Sequence, residues 1–135
     1  MAKQLRVYVA GPWDCRNAAR EVAELLEKEC KVIITRDWWN HEAGEHDTKA
    51  LAKLAREDVN AVREADVMVL LNFAKSEGKA VEQGIAIAEG IPIFALNGQG
   101  SVVGASIFHH LGAYTWFSTL AHLMKGLDTY ASEIL

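Results

Sequence analysis

The sequence predicts an α/β fold of the flavodoxin-like (Rossmann-like) kind: a doubly wound five-stranded parallel sheet of order 2-1-3-4-5, in a single domain over residues 1–135. Three observations lead there. Short apolar runs alternate with amphipathic helical stretches along the chain. The most apolar run, ADVMVLL at Ala65–Leu71, lacks polar alternation, as a strand covered on both faces requires. The connections are short, which suits parallel strands joined by right-handed crossovers.

The elements follow in order. LRVYVA, Leu5–Ala10, reads as a buried strand that stops at Gly11-Pro12. Asp14 is placed to N-cap a helix running to about Glu29, with Ala18, Val22, Leu25 and Leu26 facing inward. KVIIT, Lys31–Thr35, is a second strand. The stretch Arg36–Asp47, RDWWNHEAGEHD, has neither period; a polar and aromatic connection of that length suits function. Thr48 opens a helix to about Glu64, Ala65–Leu71 is the third strand, and Asn72–Ser76 leads into a helix that ends near Glu89 with Gly90 at C′. PIFAL, Pro92–Leu96, is the fourth strand. Asn97–Gly104 is glycine-rich and reads as a mobile connection. AYTWF, Ala113–Phe117, is the fifth strand, and Ser118 caps a last helix through Leu127.

Half of the 135 residues are hydrophobic, 24% are charged and the net charge is -4. That balance describes an ordinary packed domain and argues against a disordered chain. An acidic chain is a poor match for nucleic acid or an anionic membrane surface. No apolar run reaches the ~20 residues of a membrane span, and the N-terminus has no signal-peptide pattern. Cys15 and Cys30 make no metal or redox spacing. A cytoplasmic protein is the expectation.

In a 2-1-3-4-5 sheet a ligand sits beyond the carboxyl ends of the strands, between the first and third. That rule selects Gly11-Pro12-Trp13, the segment Asn72–Ser76 with the helix start behind it, and the loop after the second strand. Asp58 falls inside the apolar stripe Leu51, Leu54, Ala55, Val59 and Val62; it either caps a neighbouring backbone, pairs with Arg56 or Arg63, or is functional. Glu82 lies among the small residues Gly78, Gly84 and Ala86, which admit a close approach; a plain surface glutamate is the alternative. Trp38 and Trp39 suit stacking on a flat ring or, for one of them, core packing. His41, Glu42, His46 and Asp47 match no zinc or calcium pattern and read as solvated loop residues. His109 and His110 are candidates for a phosphate or a neighbouring subunit, or plain structural residues. No GxGxxG, Walker or GxSxG motif is present.

Taken together, VYVAGPW at Val7–Trp13, REDVNAVREADVMVLL at Arg56–Leu71 and SEGKAVEQGIAIAEGIPIFAL at Ser76–Leu96 resemble the nucleoside 2-deoxyribosyltransferase family. The resemblance covers roughly the first hundred residues. It implies N-glycosyl chemistry: transfer of bases between deoxynucleosides, or hydrolysis of nucleoside 5′-monophosphates. By resemblance Glu82 is the nucleophile, Asp58 the carboxyl group that assists the departing base, Tyr8 the floor of the sugar site and Gly11 the turn beside it. Six residues before the nucleophile the transferases carry an acid and the monophosphate hydrolases a phosphate-contacting serine; here the residue is Ser76. The hydrolases also take a serine from a neighbouring subunit. No serine near Gly112 matches it, and Ser106, His109 and His110 are the candidates to replace it.

The expected site is therefore catalytic Glu82, Asp58 and Tyr8, with Gly11, Pro12, Trp13, Trp38, Trp39, Ser76, Gly78, His109 and His110 around the substrate. The mechanism needs no metal or cofactor. The expected substrate is a small nucleoside or nucleotide, and the expected assembly is a homodimer or higher homo-oligomer, with the apolar Ile107–Trp116 as contact surface. The activity is read as hydrolysis of (deoxy)nucleoside 5′-monophosphates, with base exchange or a catalytically idle nucleotide sensor as alternatives.

Overall fold

The computed structural model describes residues 3–40, 47–98 and 106–135. Its strands are β1 (Arg6–Ala10), β2 (Ile33–Ile34), β3 (Val67–Asn72), β4 (Ile93–Asn97) and β5 (Tyr114–Phe117). They form one parallel sheet of order β2-β1-β3-β4-β5. The helices are α1 (Arg16–Cys30), α2 (Thr48–Arg63), α3 (Glu77–Ala88) and α4 (Leu120–Ile134). α1 packs beside α4 and α2 beside α3, so the sheet is covered on both faces. This is the fold class expected from the sequence.

Burial explains the strand order. Every residue of β3 is buried and it pairs on both sides, which its unbroken apolar run permits. β2 lies at an edge and is shorter than expected. Lys31 ends α1 in the left-handed region (φ 56°), so it cannot begin a strand. Pairing survives at Ile33 and Thr35, whose N–H groups donate to Leu5 O at 2.8 Å and Val7 O at 2.9 Å.

Helix boundaries hold three corrections. Asp14 does not cap α1: it lies inside a 3-10 turn, Trp13–Cys15, and Cys15 takes the N-cap position without a side-chain bond. Thr119, not Ser118, caps α4 by accepting from His122 N–H. α4 also continues past Leu127 to Ile134, because Tyr130 and Ala131 extend the Leu123/Leu127 stripe against the core. At Gly126 an added Cβ would lie 2.7 Å from Phe117 Cζ, so the closeness of α4 to β5 depends on a missing side chain.

The expected stripe of α2 is also corrected. Leu51 is 52% exposed and Ala55 is exposed; the buried residues are Ala61 and Val62, at the C-terminal end. The start of α2 is fixed instead by Asp47, whose carboxylate accepts from Ala50 N–H at 2.7 Å. His41, Glu42 and His46, and Gln99–Gly104 of the glycine-rich connection, lie outside the described residues.

Candidate active site

The carboxyl end of β1 and the side of α3 meet at the expected switch point. Tyr8 is fully buried at the middle of β1, in register with Met68 of β3. Its hydroxyl donates to Glu82 Oε2 of α3. Burial raises the Tyr8 phenol far above its ordinary value, and the charges of Glu82 and Asp58 push it the same way. The tyrosine is therefore a hydrogen-bond donor and not a base. Burial pushes the Glu82 carboxyl up from 4.5 to about 7; the Tyr8 hydrogen bond opposes this and the nearby Asp58 charge adds to it. Tyr8, Glu82 and Asp58 thus share one electrostatic neighbourhood although 74 residues separate the first two in sequence.

Asp58 is half-buried, not in the core, and its partner is neither Arg56 nor Arg63. Arg36, directly after β2, donates through Nε to Asp58 Oδ1 at 2.5 Å and through its other arm approaches Glu57 Oε2 at 2.9 Å. Arg63 pairs with Glu89 instead.

Three tryptophans pack on one another past the end of β1. Trp38 is 7% exposed and its indole N–H donates to Val9 O at 2.7 Å. It stands between Trp13, 6.3 Å away by ring centroid, and Trp39, at 5.6 Å. Trp38 is thus the packing residue of the pair, locked to the backbone of β1, while Trp39 is half-buried and Trp13 is exposed with the Arg16 guanidinium 4.8 Å from its ring centroid. Of Trp38 and Trp39, only Trp39 is left with a partly open face. Trp38→Ala is expected to cost about 3–5 kcal/mol of stability by chemical denaturation. Trp39→Ala removes a side chain packed only in part against the core. It is expected to cost less stability than Trp38→Ala and, if Trp39 stacks on the base, to weaken nucleotide binding about tenfold by calorimetry. Gly11 and Pro12 turn the chain from β1 toward Trp13; Gly11 has Leu71 Cβ only 3.4 Å from where its own Cβ would be.

Ser76 is the N-cap of α3, its hydroxyl oxygen accepting from Lys79 N–H at 3.3 Å. Gly78 follows in the exposed first turn, with space beside it. Ser76 also lines a cavity of about 810 Å³ together with Phe73, Lys79, Gln83, His109 and Tyr114. Tyr8 and Glu82 do not line it, so the expected residues divide into two groups on adjacent sides of α3. His109 rests edge-on against Tyr114 and Trp116, and its buried Nδ1 has no hydrogen-bond partner among the described residues. Burial, then the charges of Lys79 and His110, lower its pKa. His110 is exposed. Among the described residues no cluster of His, Cys, Asp or Glu could hold a metal ion, and no helix is long and apolar enough to cross a membrane.

Sequence reasoning assigned no role to Arg36, Lys79 or Gln83. Lys79 is buried, its amine donating to Ala74 O and lying 3.4 Å from Asn72 Oδ1. Gln83 accepts from Tyr114 OH at 2.6 Å. Arg36 could have been found: a cation at the carboxyl end of a strand beside β1 stands where the ligand rule looks.

The model of the family described as nucleoside 2-deoxyribosyltransferase matches residues 7–113. The chain belongs to that family. It is accordingly an N-glycosyl hydrolase or transferase that acts on nucleosides or nucleotides. No curated protein sequence matches it. Among solved structures, the CMP N-glycosidase BcmB of Clostridium botulinum is 20% identical, with a TM-score of 0.60 over 93% of this chain and 99% of that one. A 2-deoxyribosyltransferase of Bacillus psychrosaccharolyticus is 15% identical, with a TM-score of 0.70 over 88% and 90%. BlsM is 19% identical, with a TM-score of 0.61 over 98% and 93%. At these identities the likeness is one of fold.

Proposed function

We propose that this member of the family is a cytoplasmic N-glycosidase that hydrolyses (deoxy)nucleoside 5′-monophosphates through Glu82. The observation that carries the reading is the Tyr8–Glu82 hydrogen bond at the switch point, with Asp58 close enough to perturb both. A carboxylate held by a buried hydroxyl is fixed in position, as a nucleophile needs to be. In the first step a Glu82 oxygen bonds to C1′ as the C1′–N bond breaks. The bonding electrons leave with the base nitrogen, which takes up a proton from solvent water, and the water that later cleaves the ester returns a proton to solvent. Asp58, held by Arg36, is the acceptor for an N–H of the departing base. Water then cleaves the ester, frees Glu82 and leaves a hydroxyl on C1′. Ser76 and the first-turn N–H groups of α3 suit the phosphate, and Gly78 keeps that approach open.

The assay is a panel of nucleosides and their 5′-monophosphates, with and without an acceptor base, read by chromatography of released base and sugar. Base and sugar phosphate from the monophosphates support the reading. Preference for free nucleosides, with efficient transfer to the added base, replaces it by the transferase reading. No turnover of any member leaves the idle sensor.

We further propose a homo-oligomer whose contact is the turn Ile107–His110 and Leu111. Ile107 is 79% exposed, Phe108 59% and Leu111 42%, three large apolar side chains presented together at the surface. Phe108 and His109 also line the cavity beside Ser76, so a second copy docked there completes the phosphate end. Sedimentation should give a dimer or larger assembly for the wild type, and Phe108→Asp should shift it toward monomer with loss of monophosphate turnover.

A further inference from the structure

We propose that Arg36 is a positioning residue for departure of the base, acting through Asp58; this rests on the glycosidic reading above. Arg36 follows Thr35, whose N–H donates to Val7 O at 2.9 Å and holds the chain just past β2 against β1. Its guanidinium spans two neighbouring carboxylates of α2, Asp58 at 2.5 Å and Glu57 at 2.9 Å. The arginine side chain is only 14% exposed, and Asp58 32%. In the other ion pairs among the described residues every side chain is at least 41% exposed, and such surface pairs contribute little. The Arg36 fork is the desolvated one, and a fork fixes direction as well as charge.

Three acidic or phenolic groups face the Asp58 side of the site: Glu57 on α2, Tyr8 on β1 and Glu82 on α3. Arg36 opposes them from hydrogen-bonding distance of Asp58, with Lys53 also 4.0 Å from Glu57, and the arginine charge reaches Tyr8 as well. With Arg36 in place one Asp58 oxygen is committed to the guanidinium, and the second remains an acceptor for the base. Without it, Asp58 is a partly buried carboxylate facing Glu82 with no fixed direction. The role is separable from general folding support because it matters only when the leaving group needs help.

The test compares wild type, Arg36→Met, Arg36→Lys, Asp58→Asn and the Arg36→Met/Asp58→Asn double variant on two substrates. One is a deoxynucleoside 5′-monophosphate. The other is a 2-deoxyribose 5-phosphate bearing 4-nitrophenolate at C1′, which departs unaided. Arg36→Met should lower kcat on the nucleotide about tenfold or more with a smaller change in KM, and change the nitrophenyl substrate less than about threefold. Arg36→Lys keeps charge without the fork and should recover only part of the loss. The double variant should be no slower than Asp58→Asn alone, because the arginine acts through the aspartate. Equal losses on both substrates, or additive losses in the double variant, overturn the role of Arg36 while leaving the glycosidase intact. A wild type that cleaves neither substrate overturns the glycosidic reading and Arg36 with it. Should Arg36→Met not fold, Arg36→Lys and Asp58→Asn still decide by whether their losses are confined to the nucleotide.

Discussion

Glu82→Gln should lower turnover by about three orders of magnitude or more and leave a folded protein, since loss of a covalent nucleophile removes a whole route to product. Circular dichroism and a denaturation curve establish the folding, and single-turnover release of base establishes the rate. Near wild-type turnover in the folded variant would end the nucleophile assignment. The pH behaviour gives an independent check. Burial pushes the Glu82 carboxyl up to about 7, and in the proposed mechanism the attacking form is the ionised one. kcat/KM of the wild type should therefore rise with pH up to about 7 and then level off.

The same burial has a stability consequence of defined sign. Between pH 4.5 and about 7 the folded protein keeps a proton on Glu82 that the unfolded chain has released. Stability from this group falls as pH rises across that window and is constant above it. The penalty above the window is about 3 kcal/mol at most, from the span between 4.5 and about 7. Glu82→Gln cannot titrate, so it should be the more stable protein at pH 8 and lack that slope. A catalytic group that destabilises its own fold is the expected cost of a buried nucleophile.

What the sequence disclosed and what it hid have separate physical causes. The sheet order was legible because β3 is apolar from Val67 to Leu71 and the helical stretches between runs are long enough for crossovers. The turn at Lys31 was not, because a lysine in the left-handed region has no sequence signal. The α2 stripe misled because Leu51 and Ala55 have helical spacing yet lie at a part of the helix that the sheet does not cover. Glu82 and Asp58 were singled out by resemblance and by breaking local patterns, and Tyr8 by resemblance alone, lying in a buried apolar strand. That Tyr8 bonds to Glu82, and Arg36 to Asp58, is long-range pairing that no local period encodes. Trp38 and Trp39 are equivalent in sequence; only the backbone carbonyl of Val9 tells them apart.

Ser76→Asp should reduce monophosphate turnover roughly a hundredfold and leave any activity on free nucleosides unchanged or improved. The substitution isolates charge because aspartate caps a helix as well as serine does, so α3 should start where it starts now. Ser76 accepts from Lys79 N–H, and its own hydroxyl proton remains to be donated. The N–H groups of Glu77 and Gly78, at the helix start, have no intrahelical acceptor and would add donors for the proposed phosphate. A carboxylate at this position would bring a negative charge against a phosphate carrying nearly two, inside a cleft that salt screens poorly. Two like charges about 5 Å apart repel by several kcal/mol at the dielectric of a partly buried site. Ser76→Ala is the complementary variant: it loses the cap, costing about 1 kcal/mol of stability, and one hydrogen bond to the phosphate, without adding charge. Its monophosphate kcat/KM should fall about tenfold. Measuring kcat/KM for a deoxynucleoside and its 5′-monophosphate on all three proteins separates the effects. Equal losses on both substrates in Ser76→Asp would make Ser76 a cap alone and would remove the structural support for a phosphorylated substrate.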